Sequence, residues 1–260
     1  MGIGSEGYER SKTRSQARLT REQRAAILAE IHKRVSENWK NKDGRITIAF
    51  KDRPELAYAI EIYPKVSYYI GIRATSALEK SFWEVAEERD ERKHRSKFSG
   101  VIGLENFKAG DEIIFRHLDK GKRGGTAWTK RIFGEFAEEF HAYWIRQGKP
   151  KQGPVFAGLR EDAVREFLKE VYEAAGIPEC IWQSTEQNES MPLHIWRHTA
   201  AQDLLDATDW NFELVAITLG WESIDMLKKH YGSMPPDVQR RIVLKAMGEE
   251  VPMIKREFVF

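Results

Sequence analysis

The stretch His194-Ile195-Trp196-Arg197-His198-Thr199, followed by Leu219-Gly220-Trp221 and then by Tyr231, decides how this chain is read. His194 and Arg197 are three residues apart, so a helix would put both on one face. Trp221 comes 24 residues after Arg197, and Tyr231 comes 10 residues after Trp221. Far upstream, Gly71-Ile72-Arg73-Ala74-Thr75 supplies a second arginine. Around these residues the apolar spacing predicts four helices: Pro192 to Asp206, Phe212 to Leu219, Ser223 to His230 and Pro236 to Met247.

Moving toward the N-terminus, residues 177–192 read as polar and irregular. A helix is expected over 160–175, closed by Gly176. An aromatic-rich helix over 132–146 carries Phe133, Phe136, Phe140, Tyr143 and Trp144. Residues 110–131 read as strand, turn, strand: Glu112 to His117 is β-rich, three glycines lie between Asp119 and Gly125, and Thr126-Ala127-Trp128-Thr129 follows. The segment 87–97 is almost entirely charged, and Ser76 to Val85 has helical spacing. Pro64 is expected to break or kink a helix that begins after Pro54. Asn41-Lys42-Asp43-Gly44 signals a turn before the alternating Ile46-Thr47-Ile48. Thr20, with Gln23 three positions on, marks a capped helix whose apolar positions are Ile27, Leu28, Ile31 and Val35. The expected fold is mainly α with a small antiparallel β-sheet or hairpin (α+β). Three regions are expected: a flexible basic arm over 1–18, one domain over 19–247, and a C-terminal tail over 248–260.

Composition narrows the function classes. Of 260 residues, 41% are hydrophobic and 32% charged, which suits a globular chain with a sizeable core. There is no apolar run of about 18 residues and no apolar signal core at the N-terminus. The single cysteine, Cys180, excludes an internal disulfide and a multi-cysteine zinc site. An intracellular, cytoplasmic location is the expectation. The net charge of +2 does not announce a nucleic-acid binder, but its distribution is uneven. Residues 1–40 hold nine Lys/Arg against five Asp/Glu. Residues 116–131 hold Arg116, Lys120, Lys122, Arg123, Lys130 and Arg131 against Asp119 alone.

Two arginines, a histidine, an indole donor and a late tyrosine suit a site that grips one phosphodiester while a phenol attacks it. A planar guanidinium can bind two phosphate oxygens at once, so Arg73 and Arg197 are candidates for a phosphate clamp. They would stabilise charge as it develops in the transition state. Tyr231 is the candidate nucleophile. His194 could accept its proton or bind the phosphate, and Trp221 could donate its indole N–H to a phosphate oxygen. His194 and His198 also have metal-pair spacing, but no Glu follows His194 and no third ligand is evident, so no metal and no cofactor are expected.

The order and spacing of this set resemble the tyrosine recombinases, or phage integrases, over roughly residues 19–247. The resemblance implies a catalytic domain that cuts and rejoins duplex DNA through a covalent 3′-phosphotyrosine, with no cofactor. It implies a general-acid lysine on the hairpin, which falls on Lys120 or its rival Lys122. His198 would support the site from behind or touch DNA, and Lys122, Arg123, Lys130 and Arg131 would contact DNA. The partner implied is a specific duplex attachment site, acted on by a homotetramer of chains that are monomers in solution. Related phosphotyrosine chemistry without strand exchange (type IB topoisomerase-like relaxation) and an inactive DNA-binding module are the alternatives.

The chain departs from that pattern in three places. Ser76 stands where members commonly have an acid three residues after the first arginine. The charged segment 84–98 is longer than usual, which blurs the lysine register. A separate N-terminal clamping domain has no room before residue 19, so a catalytic-domain piece or a short relative is expected. The apolar residues of the tail, Val251 to Phe260, are expected to dock on their own or a neighbouring subunit. The charge-rich make-up suits an archaeal mobile element.

Overall fold

A capping box opens the first helix. The Thr20 side chain accepts from the Gln23 amide (3.2 Å), and the Thr20 amide donates to Gln23 Oε1 (2.8 Å). The helix it starts, α1 (Arg21–Arg34), buries Ile27 and Ile31. The computed structural model describes residues 18–41, 43–78, 81–84, 99–118, 127–156, 158–183, 191–221, 223–232 and 234–248. Among them no helix is long and apolar enough to cross a membrane.

Strand β1 (Trp39–Lys40) pairs antiparallel with β2 (Ile46–Ile48). Asn41 shapes the turn between them, its Oδ1 accepting from the amides of Asp43 (3.1 Å) and Arg45 (3.0 Å). The next helix, α2 (Pro54–Ile70), continues through Pro64, where a break or kink is expected. Pro64 lies inside it and is buried. A mid-helix proline costs about 3 kcal/mol. Here Ile60, Tyr63, Val66 and Ile70, buried on both sides of it, outweigh that cost.

The expected helix over Ser76 to Val85 is instead a short α3 (Ala74–Leu78) followed by β3 (Ser81–Glu84). The Ser81 hydroxyl donates to the Ser76 carbonyl (3.0 Å) at the junction, and Trp83 then packs into the core as a strand residue. Val85 and the charged run 87–97 lie outside the described residues. Strands β4 (Ser99–Ile102), β5 (Ile113–Leu118), β6 (Ala127–Ile132) and β7 (Gln152–Pro154) complete a five-stranded sheet of order β6-β5-β4-β3-β7. The β5–β6 hairpin is antiparallel as expected. The sheet is larger than expected, and its β3–β4 pair is parallel.

Helix α4 (Glu135–Arg146) buries Phe136, Phe140, Tyr143 and Trp144. Phe133, expected within that helix, precedes it and is exposed. Helices α5 (Glu161–Ala174) and α6 (Glu179–Trp182) follow; α6 occupies part of a segment expected to be irregular.

Helix α7 (Met191–Ala207) runs through the centre of the molecule, with Leu193, Ile195, Trp196, Thr199, Ala200, Ala201 and Leu205 all buried. Helices α8 (Phe212–Leu219), α9 (Ile224–Tyr231) and α10 (Pro236–Ala246) close the described chain. Most buried apolar residues join one large core, from Leu19 to Trp196. A second, smaller cluster gathers the C-terminal half of α7 with α8, α9, Trp221 and Tyr231.

Arg18 belongs to this body rather than to the arm. Its guanidinium pairs with Asp203 (2.5 Å) and Asp206 (2.6 Å) on α7, and the next amide, of Leu19, donates to Thr199 Oγ1 (3.1 Å).

Candidate active site

Helix α7 carries three of the sequence-derived residues on one face: His194, Arg197 and His198. Arg197 is 5% exposed, and its Nη1 donates to the Gly71 carbonyl. That bond reaches the segment that carries the other arginine. Gly71 ends α2 in the left-handed region (φ 64°), and a Cβ there would run into the Leu219 side chain on α8. Glycine at 71 thus lets the segment 71–73 wedge between α7 and α8. Arg73 follows, half-buried, and its carbonyl accepts from Ala77 (2.8 Å) to begin α3.

His194 registers both arginines. Burial first, then the charges of Arg197 and Arg73, push its pKa down from 6.5 to about 4. The imidazole is therefore neutral at physiological pH.

Helix α8 ends in a Schellman motif: Gly220 is left-handed (φ 63°), and the Trp221 amide donates back to the Ala216 carbonyl (2.9 Å). This turn sets the Trp221 indole against the arginine, with the Arg197 guanidinium carbon 4.8 Å from the ring centre. Trp221 is 9% exposed, and its Nε1 is buried without a hydrogen-bond partner among the described residues.

Tyr231 ends α9 and is 4% exposed. Burial raises its hydroxyl pKa above the usual phenol range, and the nearby Arg197 charge opposes that rise. Its ring lies 6.1 Å from Trp221. A hydrogen bond of 2.7 Å joins its hydroxyl to His198 Nδ1. The sequence leaves His194 either to accept the tyrosine proton or to bind the phosphate; in the structure it is His198 that touches the phenol.

His230 is the residue the sequence reading missed. Its ring packs 5.5 Å from Trp221 and 6.1 Å from His198. Its sole sequence signal is the place directly before Tyr231.

The hairpin cations divide. Lys130 is 5% exposed, and its ammonium donates to the Thr218 carbonyl near the end of α8. This corrects the expectation of a solvent-facing DNA contact. Strand alternation explains it: Lys130 and Ile132 point inward, while Thr129 and Arg131 point outward. Arg131 is paired with Glu112, the residue just before β5. Lys120, Lys122 and Arg123 lie outside the described residues.

Arg73, His194, Arg197, His198, Trp221 and Tyr231 thus come from four separate segments to the stretch 194–198 of α7. Two clefts, of about 240 and 330 Å3, lie between α1, α2 and α4 and beside β1 and α5, and include none of them.

No protein-family profile matches this sequence. No characterised protein matches it by sequence either. Among solved structures, the chain is similar to the XerH site-specific recombinase bound to a palindromic difH substrate in a post-cleavage complex. The TM-score is 0.49 at 15% identity, covering 90% of this chain and 53% of that one. It is similar also to XerH bound to difH in a pre-cleavage complex, with TM-score 0.49, 15% identity, and 90% and 55% coverage. The chain spans about half the length of these structures.

Proposed function

We propose that this chain is a site-specific DNA strand transferase of the tyrosine type, which cleaves and rejoins duplex DNA through a 3′-phosphotyrosine at Tyr231. One observation carries the reading: Arg197 and Tyr231 flank the same tryptophan, whose buried indole N–H has no partner among the described residues. A buried donor left unsatisfied costs about 1–3 kcal/mol. A phosphate oxygen brought between the guanidinium and the phenol would supply the missing acceptor.

In this reading Arg197 and Arg73 neutralise the phosphodiester and the charge that builds on its oxygens during attack. Tyr231, fixed at the end of α9, attacks in an effectively intramolecular step. The neutral His194 can donate a hydrogen bond to the phosphate beside both arginines. A lysine of the β5–β6 hairpin, Lys120 or Lys122, protonates the departing 5′ oxygen. The phosphotyrosine conserves the energy of the cleaved bond, so rejoining needs no nucleotide cofactor. Chains that are monomeric in solution assemble as tetramers on DNA, which sizing with and without a duplex tests.

Covalent trapping tests the chemistry. The chain is incubated with mixed duplex fragments, quenched with detergent and digested, and the modified residue is located by mass spectrometry. An adduct on Tyr231 that is lost in Tyr231→Phe is expected. DNA binding without an adduct would favour an inactive binding module, and relaxation of supercoiled DNA without sequence dependence would favour a topoisomerase-like role.

A further inference from the structure

The hydrogen-bond partner of the proposed nucleophile is His198, a residue expected from sequence to support the site from behind or to touch DNA. His198 follows Arg197 directly, and its Nδ1 lies 2.7 Å from the Tyr231 hydroxyl. That is within the reach expected of a general base. The two rings meet edge to face, with centres 5.9 Å apart. Because Tyr231 is 4% exposed, bulk water is a poor acceptor for its proton. His194 is poorly suited as well, since burial and two arginines hold its pKa near 4.

Resting on the phosphotyrosine reading above, we infer that His198 is a catalytic residue: it takes the proton from Tyr231 as the tyrosine attacks, and returns it on rejoining. For the hydroxyl to donate to Nδ1, that nitrogen must be bare and the ring proton must sit on Nε2. During attack the Tyr231 oxygen uses a lone pair to form the new O–P bond. Its O–H bond breaks, the electron pair stays on oxygen, and the proton passes to Nδ1 to give an imidazolium. The bond from phosphorus to the 5′ oxygen breaks, its pair leaves with that oxygen, and the hairpin lysine protonates it. Rejoining runs the same transfers backward, with the 5′ hydroxyl attacking and the imidazolium reprotonating the departing phenolate.

The arrangement assigns one base and one acid to different residues, which a sulfur-substituted DNA separates. A duplex recovered by covalent trapping is made with oxygen or with sulfur at the 5′ bridging position, since a departing thiolate needs no proton. Adduct formation is timed for the full chain and for His198→Ala, His198→Asn, Lys120→Ala and Lys122→Ala. Both His198 variants are expected to slow by about 100-fold or more on both substrates. Asparagine keeps an acceptor for the hydroxyl but cannot take its proton, so it separates proton transfer from positioning. Added imidazole is expected to restore part of the rate of His198→Ala. The variant lacking the acid lysine should instead recover on the sulfur substrate.

A His198→Asn chain that reacts at the wild-type rate overturns the inference while leaving the phosphotyrosine reading intact. So does a His198→Ala defect that disappears on the sulfur substrate. If covalent trapping with the wild-type chain recovers no duplex at all, the reading itself is overturned, and the inference with it.

Discussion

Two buried tryptophans on either side of Arg197 meet opposite fates. In the large core, the Trp196 indole donates to the Tyr172 hydroxyl (3.1 Å), which itself donates to the Pro192 carbonyl (2.7 Å). In the small cluster, the Trp221 indole has no such partner among the described residues, and the ring lies instead beside Arg197 and Tyr231. The exceptions in the large core, the Tyr63 and Ser67 hydroxyls, sit one turn apart on α2. The contrast is one of position: the first indole is satisfied inside the large core, while the second has no acceptor among the described residues and lies beside the candidate nucleophile. Stability is expected to reside in the first and chemistry in the second.

The strongest way to break this division is at the joint between the two regions. Gly71→Ala forces a left-handed residue to carry a Cβ that overlaps Leu219. Strain and overpacking together are expected to cost roughly 2–5 kcal/mol in urea denaturation. The change should also displace Arg73 and slow DNA cleavage. A variant of wild-type stability would mean that the segment 71–73 is not wedged as described.

Acid should weaken the fold through His194. Its pKa falls from 6.5 to about 4 on folding, so the fold favours the neutral ring. That contribution is complete above pH 6.5 and is lost as pH falls toward 4. It amounts to roughly 3 kcal/mol at most. Carboxylates titrate in the same window, so the measurement is a comparison: His194→Gln should show a flatter stability profile than wild type between pH 6.5 and 4. Parallel profiles would contradict the burial of this ring beside two guanidinium groups.

The same substitution in each region sharpens the comparison. Trp196→Phe breaks a hydrogen bond that is made, and is expected to cost about 1–3 kcal/mol. Trp221→Phe removes a donor that has no acceptor among the described residues. Relief of that penalty offsets the lost volume, so its stability should stay within about 1 kcal/mol of wild type while cleavage slows. Equal losses of stability at the two positions would erase the distinction.

Arg131→Ala should have the smallest effect. Its ion pair with Glu112 is exposed, and its loss should cost under about 1 kcal/mol. If Arg131 contacts a phosphate, the salt slope of DNA binding should fall by about one. An unchanged slope would remove it from the interface.

What could be read from the sequence was local. Thr20 with Gln23 announces a cap, and apolar spacing ends a helix at Leu219. The i, i+3 spacing put His194 and Arg197 on one face. Each depends on residues within a turn or two of one another. What was missed depends on distant partners. Strand β7 contains Gly153 and Pro154, residues that argue against a strand, and forms only as the edge partner of β3. Pro64 stays helical because the core on both sides of it compensates. Lys130 reads as one cation in a basic run until the pleat of β6 turns it inward. His198 differs from His194 through α9, which brings Tyr231 to one ring and not the other.

The most direct test of the central claim is to locate the covalent adduct after incubation with duplex DNA and a detergent quench. The account expects a nucleotide on Tyr231, absent in Tyr231→Phe although that variant folds and binds DNA as wild type does. An adduct on another residue, or one that persists in Tyr231→Phe, would contradict it.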